Sequence, residues 1–153
     1  MKHYKDEKNN IFAYESDGSQ DAFIKEGLVP ISDEDLAAMI APTTEQLLSQ
    51  LTAARKEQEQ QGVVINGIRY AGDPGNRQTL QEAITYIEDA GLTEFPTWKD
   101  SDDEFHVDHP LADVVDAYRA IGERRVALIA AEGEYAAQII AGTLTDLTEV
   151  VWP

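Results

Sequence analysis

The longest hydrophobic pattern in the chain runs from Leu111 to about Gly142. Apolar residues recur there every three or four positions, which is the spacing of the buried face of an α-helix. The members of this stripe are Leu111, Val114, Val115, Tyr118, Ile121, Val126, Leu128, Ile129, Tyr135, Ile139 and Ile140. We predict one helix of about thirty residues, with Asp108 or His109 as its N-cap and Pro110 in its first position. A helix this long either spans its domain or packs against a copy of itself or against a partner.

Two shorter helices are predicted on either side of Pro42. Ser32 is suited to cap the first helix, because its side chain can accept a hydrogen bond from a free N–H group of the first turn, and Pro42 ends that helix. Thr43 and Gln46 have the spacing of a capping box, which predicts the start of a second helix. Its apolar face would consist of Leu47, Leu48, Leu51 and Ala54.

A polar run, residues 55–61, follows this apolar face. Because the run is polar on every side, we predict a solvated helix end or a linker there, with the main domain boundary near Gly62. The predicted organisation is an N-terminal hairpin-plus-helices module at 1–54, the polar linker or helix end at 55–62, and a C-terminal α+β domain at 63–153.

Segments rich in β-forming residues predict hairpins in both halves of the chain. An N-terminal hairpin would join a strand around Tyr4 to a strand at residues 11–14 through a polar turn. Residues 24–30 are expected to be irregular or to form one short strand. Asn66 and Gly67 stand between two β-rich triplets, and this pair suits the positive φ angles of a type I′ hairpin turn.

One further helix and one further hairpin are predicted before the long helix. Asn76 would cap the helix and Gly91 would follow its last residue in the C′ position. Its buried stripe would be Leu80, Ala83, Ile84 and Ile87. Two strands are expected around Trp98 and residues 105–107. These elements predict an α+β fold of short antiparallel β-hairpins and amphipathic helices, with one long C-terminal helix.

Composition adds that the chain is strongly acidic and has no cysteine. Its 153 residues include 29 acidic and 12 basic side chains, for a formal net charge of −17, and 42% of them are hydrophobic, enough for a folded core. This charge disfavours binding to nucleic acids and anionic membranes, which are themselves negative. The absence of cysteine excludes disulfides, thiol catalysis and cysteine-ligated zinc. Because the N-terminal residues also lack a signal-peptide pattern, we expect folding in a reducing cytoplasm.

One cluster combines residue types that could bind a metal ion: Asp100, Asp102, Asp103, Glu104, His106, Asp108 and His109. Its oxygen ligands would suit calcium, but the loop lacks the central glycine and the closing glutamate of an EF-hand. We interpret it as an acidic hairpin loop and predict no metal and no other cofactor. Pairs of carboxylates, such as Glu123 with Glu132 or Glu132 with Glu134, are expected by chance in so acidic a chain. No catalytic sequence motif is present, so we predict that the protein is not an enzyme.

Six residues are candidates for binding a partner protein: Tyr4, Phe12, Tyr14, Tyr118, Arg124 and Arg125. The first three belong to a two-stranded hairpin, which is not stable alone in water and must pack on the chain or on a partner. Tyr118 lies on the long helix. Arg124 and Arg125 follow Glu123 and form either a local ion pair or a contact for an acidic partner surface.

Two parts of the chain resemble known families. Residues 4–40 resemble the N-terminal module of phage tail-fibre assembly proteins, through Tyr4, Asp6, Asn10-Ile11-Phe12-Ala13-Tyr14, Asp17-Gly18-Ser19-Gln20-Asp21 and the acidic helix after Ile31-Ser32. Residues from about 64 to 153 resemble DUF4376, a domain of unknown function found in small phage and prophage proteins. The residues that carry this second resemblance are Asn66-Gly67-Ile68-Arg69-Tyr70, Arg77, Trp98, His109-Pro110 and Arg124-Arg125.

The resemblance implies a role at a phage tail fibre. As a non-enzymatic assembly chaperone, the protein would bind the tail-fibre protein in the host cytoplasm. As a structural component of the tail or fibre tip, it would stay in the virion and contact the host receptor. A third alternative is an enzyme that acts on cell-surface glycans, which would need two carboxylates at catalytic separation in a cleft. A homo-oligomer is left open, and neither nucleic acid nor membrane is an expected partner.

Overall fold

The computed structural model describes residues 1–153 and divides the chain into two compact units, Met1–Thr43 and Thr44–Pro153. The predicted α+β fold is confirmed, because four α-helices combine with seven short strands in three antiparallel sheets. None of the helices combines the length and the hydropathy that crossing a membrane requires.

The first unit contains a three-stranded antiparallel sheet. The predicted hairpin is confirmed as β1 (Lys2–Lys5) and β2 (Ile11–Tyr14). A third strand, β3 (Val29–Ile31), pairs with the other side of β1, so the strand order is β2-β1-β3. One turn of 3-10 helix, Asp21–Phe23, lies between β2 and β3. The segment 24–30 is therefore irregular at first and ends in a short strand.

A single helix, α1 (Asp33–Ile40), completes the first unit. The hydroxyl oxygen of Ser32 accepts a hydrogen bond from the Asp35 N–H at 3.0 Å, so Ser32 is the predicted N-cap. The helix ends before Pro42, where proline removes a backbone donor and clashes with the preceding turn.

The second unit contains three helices, two hairpins and a C-terminal turn of 3-10 helix. In chain order they are α2 (Thr44–Gln61), β4 (Val63–Ile65), β5 (Ile68–Tyr70), α3 (Pro74–Asp89), β6 (Glu94–Lys99), β7 (Phe105–Pro110), α4 (Leu111–Ile140) and the 3-10 helix Leu147–Glu149. Asn66 and Gly67 have φ angles of 51° and 82°, which confirms the left-handed turn predicted between β4 and β5.

Helix α4 contributes to two hydrophobic cores within the second unit. It therefore spans its domain, which is one of the alternatives predicted from its length. The first core contains Tyr70, Leu80, Ile87, Phe95, Val114, Ala117 and Ile121. The second core contains Leu47, Leu51, Ile139 and Leu144, with Tyr135, Val150 and Trp152 packed against it. The C-terminal tail therefore docks on the second core, where the rings of Tyr135 and Trp152 meet edge to face.

The polar run 55–61 is the end of α2 and belongs to the second unit. The chain divides after Thr43, so the boundary predicted near Gly62 lies inside the second unit. The run is also not solvated on every side, because the side chains of Arg55 and Glu59 are only 12% and 9% exposed. A helix face that is buried through ion pairs has the same polar sequence as a solvated face.

Helix α3 begins earlier than the sequence predicts. Asp73 is its N-cap, and the Asp73 carboxylate accepts a hydrogen bond from the Asn76 N–H at 3.0 Å. Asn76, the predicted cap, lies in the first turn and donates from its side-chain amide to the carbonyl oxygen of Ala71. The acidic side chain precedes Pro74, which suits the first turn of a helix because proline has no N–H to satisfy. Gly91 follows the helix with a φ of 66°, as predicted.

Helix α4 begins one residue later than predicted and has no side-chain cap. Its N-cap is Pro110 rather than Asp108 or His109, and its first residue is Leu111. The reason is that β7 continues through Pro110, and this strand holds His109 in the first core.

Candidate binding surfaces

The register of the first sheet places the three N-terminal aromatic candidates on one face. Tyr4 lies opposite Phe12, and Lys2 lies opposite Tyr14. Since opposed residues share a face and alternate residues of a strand return to it, Tyr4, Phe12 and Tyr14 form one surface, which we call the aromatic face. The rings of Tyr4 and Tyr14 pack edge to face with their centroids 5.6 Å apart.

The first unit has no buried residue. All twelve buried hydrophobic residues of the chain lie in the second unit, whereas between Met1 and Thr43 every side chain is at least partly exposed. The large apolar side chains most exposed there are Met1, Ile11, Phe23, Val29 and Ile40. A small sheet is normally stable only when one of its faces packs against other secondary-structure elements. The first unit thus leaves apolar surface available to a partner.

An open pocket of about 470 Å³ lies beside Phe12. The ammonium group of Lys25 lies 6.0 Å from the centroid of the Phe12 ring, at the limit of a cation–π contact. Most of the other lining residues are charged, with both signs present, and the full set is Asp6, Glu7, Lys8, Asn10, Glu26, Gly27 and Leu28. An aromatic centre with a charged rim is the composition of a protein-binding surface.

Arg124, on α4, holds the end of α2. Its Nη1 donates to the carbonyl oxygen of Gly62 at 2.6 Å, and its Nη2 donates to Oε1 of Gln58 at 3.2 Å. The first bond satisfies a carbonyl just beyond the last residue of α2, where no intrahelical partner exists, and the second fixes a side chain of its last turn. Arg124 therefore stabilises the fold, while Arg125, whose side chain is 45% exposed, faces a different set of groups.

Three arginines converge on the carboxylate of Glu59, a group that we call the arginine cluster. Arg55 pairs with Glu59 through Nη1 and with Glu132 through Nε, the latter at 2.5 Å. Nε of Arg125 lies 3.3 Å from Oε1 of Glu59, and Nη1 of Arg77 lies 3.7 Å from its Oε2. The cluster joins α2, α3 and α4, so it explains why the polar face of α2 is buried.

Two glycines allow the end of α2 to approach the loop before α3. A Cβ at Gly62, whose φ is 69°, would lie 1.8 Å from the carbonyl oxygen of Tyr70. A Cβ at Gly72 would lie 2.2 Å from the backbone oxygen of Glu59. Only glycine avoids these clashes. This close approach brings Arg77, on the first turns of α3, within reach of Glu59.

A pocket of about 390 Å³ lies beside the arginine cluster, and we call it the arginine pocket. Its lining residues are Arg55, Lys56, Glu59, Gln60, Asp73, Pro74, Arg77 and Arg125. Four of the twelve basic residues of the chain face two carboxylates there, a formal charge of +2 in a protein of net charge −17. The sequence alone did not indicate this pocket. The only local signal is the four-residue spacing of Arg55 and Glu59, which is typical of an ion pair on a helix.

The residues considered as a candidate metal cluster, which the sequence analysis interprets as an acidic hairpin loop, have separate roles within the hairpin and the core. Oδ1 of Asp100 accepts hydrogen bonds from the N–H groups of Asp102 and Glu104, at 2.8 and 2.9 Å. Its Oδ2 lies 2.8 Å from Nε2 of His106, and this contact lowers the pKa of Asp100 from its usual value. No group of three or more of these side chains is arranged to hold a metal ion. The acidic loop is thus ordered by its own hydrogen bonds.

His109 and Tyr70 form a buried polar pair in the first core. A hydrogen bond of 2.7 Å joins the Tyr70 hydroxyl to Nε2 of His109, and the His109 ring stacks on Trp98 at 5.6 Å. Burial raises the pKa of Tyr70 to about 12 and lowers the pKa of His109, because both charged forms would lose their hydration. Both side chains are therefore neutral packing elements at neutral pH.

The remaining sequence candidates on α4 are engaged in packing or ion pairing. Tyr118 packs against the first core, so its side chain supports the fold. Glu132 pairs with Arg55 and accepts a hydrogen bond from the Thr52 hydroxyl at 2.6 Å. Such a satisfied carboxylate is a structural ion-pair partner.

Comparison with known families matches the second unit. The family described as "Domain of unknown function (DUF4376)" matches residues 42–151. The match begins well before residue 64, where the predicted resemblance starts, because α2 is part of the same compact unit. Comparison with curated proteins and with solved structures gave no match. The resemblance of residues 4–40 to tail-fibre assembly proteins lies outside the matched range and stays a prediction.

Proposed function

This chain belongs to the DUF4376 family, and from that premise we propose that it is a non-enzymatic protein that binds a phage tail fibre and assists its assembly. The first unit would contact the fibre, and the second unit, which carries the family domain, would act as a stable scaffold. The proposal rests chiefly on one observation: the first unit contains no buried residue, so even its aromatic face is only partly covered.

The edges of the first sheet support the same proposal. In the order β2-β1-β3, both β2 and β3 are edge strands, so each has backbone N–H and C=O groups that face away from β1. A strand of a folding fibre could pair with such an edge while its side chains pack on the aromatic face. Transient pairing of this kind is what a protein needs in order to protect strands of a β-rich fibre before they find their final partners.

The test is co-expression of the full chain with the proposed partner, a phage tail-fibre protein, followed by affinity capture of the fibre. We expect the native chain to be captured and Phe12→Ser to reduce capture, because Phe12 lies in the aromatic face. Ile11→Ser is the matched control, since Ile11 is the adjacent residue of β2 and faces the opposite side of the sheet. NMR spectra of both variants would establish that the sheet persists. Equal capture of both variants would contradict the assignment of the aromatic face.

The alternative is a structural tail component that remains in the virion. Exposed apolar residues on α4 favour it, because a permanent interface covers such residues; Val126, Ile129 and Ile140 are 69%, 42% and 70% exposed. Mass spectrometry of purified particles separates the two proposals. A released chaperone would be absent from the particles, whereas a structural component would be present in a fixed ratio to the fibre.

A further inference from the structure

We propose that the arginine pocket binds a carboxylate-bearing segment of a partner protein, with Lys56, Arg77 and Arg125 as the contacting residues. The identity of the partner rests on the proposed function, whereas the affinity for carboxylates is a property of this chain alone. Glu59 and Arg55 would position the contacting arginines and would not themselves be displaced.

Lys56, Arg77 and Arg125 provide the positively charged donors that remain free in the pocket. Arg55 is occupied by ion pairs with Glu59 and Glu132. Arg125 meets Glu59 only through Nε, at 3.3 Å, which leaves its two terminal nitrogens without a hydrogen bond. Nη1 of Arg77 donates to the Gly72 carbonyl oxygen at 2.6 Å, and its other nitrogens are free.

Lys56 adds a charge that has no partner in the chain. Its side chain is exposed at the rim of the pocket and makes no ion pair and no hydrogen bond. A free ammonium beside two incompletely used guanidinium groups provides several N–H donors for one incoming anion. Hydrogen bonds between such charged groups are roughly twice as strong as neutral ones.

The charge distribution favours a short anionic group over a polyanion. The pocket has a formal charge of +2, but the rest of the chain is strongly acidic and repels an extended negative ligand. One or two carboxylates can enter, because salt screens the more distant acidic residues beyond about 8 Å. The volume of about 390 Å³ lies near the lower end of the range for ligand pockets, roughly 300–1,000 Å³, and suits a few side chains of a peptide.

The cluster itself shows which anion these arginines accept. Both anionic groups that it already contains, Glu59 and Glu132, are carboxylates held by guanidinium groups. The planar guanidinium fork matches a carboxylate through two parallel hydrogen bonds. An acidic side chain of a partner would form such a pair with the outer edges of Arg77 and Arg125.

The first experiment measures binding of a fluorescein-labelled peptide with a central Glu-Glu pair to the full chain by fluorescence anisotropy. The matched peptide has Gln-Gln in place of Glu-Glu, and inorganic phosphate is titrated separately by calorimetry. We expect the Glu-Glu peptide to bind about tenfold more tightly than the Gln-Gln peptide, and we expect its affinity to fall as salt is added. Equal binding of the two peptides, or no binding at about 1 mM, would overturn the proposal. Tighter binding of phosphate than of the Glu-Glu peptide would also overturn the assignment to carboxylates.

Variants locate the binding in the pocket. Lys56→Gln removes an unpaired ammonium, and Arg125→Gln removes a guanidinium that is 45% exposed and meets Glu59 only through Nε. Both variants should fold, and each should weaken binding of the Glu-Glu peptide about fivefold or more. Arg119→Gln is the control, because Arg119 lies on the same helix but is exposed and paired with Asp116. Unchanged affinity in the Lys56→Gln/Arg125→Gln double variant would place the binding elsewhere and refute the pocket.

Co-expression with the fibre separates this inference from the proposed function. If the native chain and the double variant form the fibre complex equally well, the pocket is not the contact, and the proposed function stands. If the native chain binds the Glu-Glu peptide but forms no complex with the fibre, the carboxylate site stands and the choice of the fibre as partner is wrong.

Discussion

Replacement of Glu59 by glutamine tests how the arginine cluster holds the second unit together. The carboxylate of Glu59 is only 9% exposed and lies within ion-pair distance of Arg55, Arg77 and Arg125. Glutamine keeps the size of the side chain but removes the negative charge. Three guanidinium groups would then converge on a neutral amide that can accept fewer hydrogen bonds.

The expected loss in the free energy of unfolding is about 3 kcal/mol. Removal of one partner from a buried ion pair typically costs 3–5 kcal/mol, because the other charge is left without compensation. The lower end applies here, since Arg125 is 45% exposed and can be rehydrated, and since Arg55 keeps Glu132. For a unit of this size the melting temperature should fall by roughly 10–15 °C.

Urea unfolding followed by tryptophan fluorescence measures this loss in the relevant unit. Both tryptophans of the chain, Trp98 and Trp152, lie in the second unit, so the signal reports that unit alone. Glu57→Gln is the matched control, because Glu57 is an exposed residue of the same helix and has no ion-pair partner. A loss below about 0.5 kcal/mol for Glu59→Gln, equal to the control, would refute the reasoning, since ordinary surface substitutions have effects of that size.

Four further predictions concern the packing of the second unit, its stability at high and at low pH, and its ability to fold alone. Gly72→Ala should destabilise it by about 1–3 kcal/mol in urea unfolding because the new Cβ meets the backbone of Glu59, whereas Gly133→Ala, in open space on α4, should stabilise it by about 0.5–1 kcal/mol. Burial raises the pKa of Tyr70 from 10.0 to about 12, so the stability that this residue contributes is fully present below pH 10 and is lost as pH rises toward 12. The expected loss in the free energy of unfolding over this pH range is about 2–3 kcal/mol, and it should be absent in Tyr70→Phe. The lowered pKa of His109 affects stability at acid pH: the free energy of unfolding that this residue contributes is present above pH 6.5 and is lost as the pH falls below that value. In His109→Gln, this dependence of the free energy of unfolding on pH should be absent. Residues 44–153 contain both cores and should fold alone with the same fluorescence transition as the full chain.

Elements with a local signal could be predicted from the sequence. The Asn66-Gly67 turn follows from the tolerance of these two residues for positive φ, and α4 follows from its apolar stripe. The prediction that Ser32 caps α1 is confirmed, because the capping hydrogen bond forms within one turn of the chain. Features that depend on residues distant in sequence could not be predicted from a local pattern. The pairing of β3 with β1 is an example, since a strand of three residues has little pattern of its own.

Of the candidate surfaces, the aromatic face could be predicted from local sequence and the arginine pocket could not. Tyr4, Phe12 and Tyr14 could be grouped from the sequence because the two strands of a hairpin share a register. The arginine pocket could not be found, because its residues come from three helices and meet only after Gly62 and Gly72 allow a close approach. The polar sequence of residues 55–61 gives no sign that one side of the helix is buried, since the pairing charges lie on α3 and α4.

The central claim, that this chain binds a tail fibre, is tested most directly by light scattering. The full chain and the proposed partner, a phage tail-fibre protein, would be co-expressed and separated by size-exclusion chromatography with in-line measurement of mass. The account predicts one peak that contains both proteins in a fixed ratio, and a fibre that is soluble only when this chain is present. Separate elution of the two proteins, with a fibre that folds equally well alone, would contradict it.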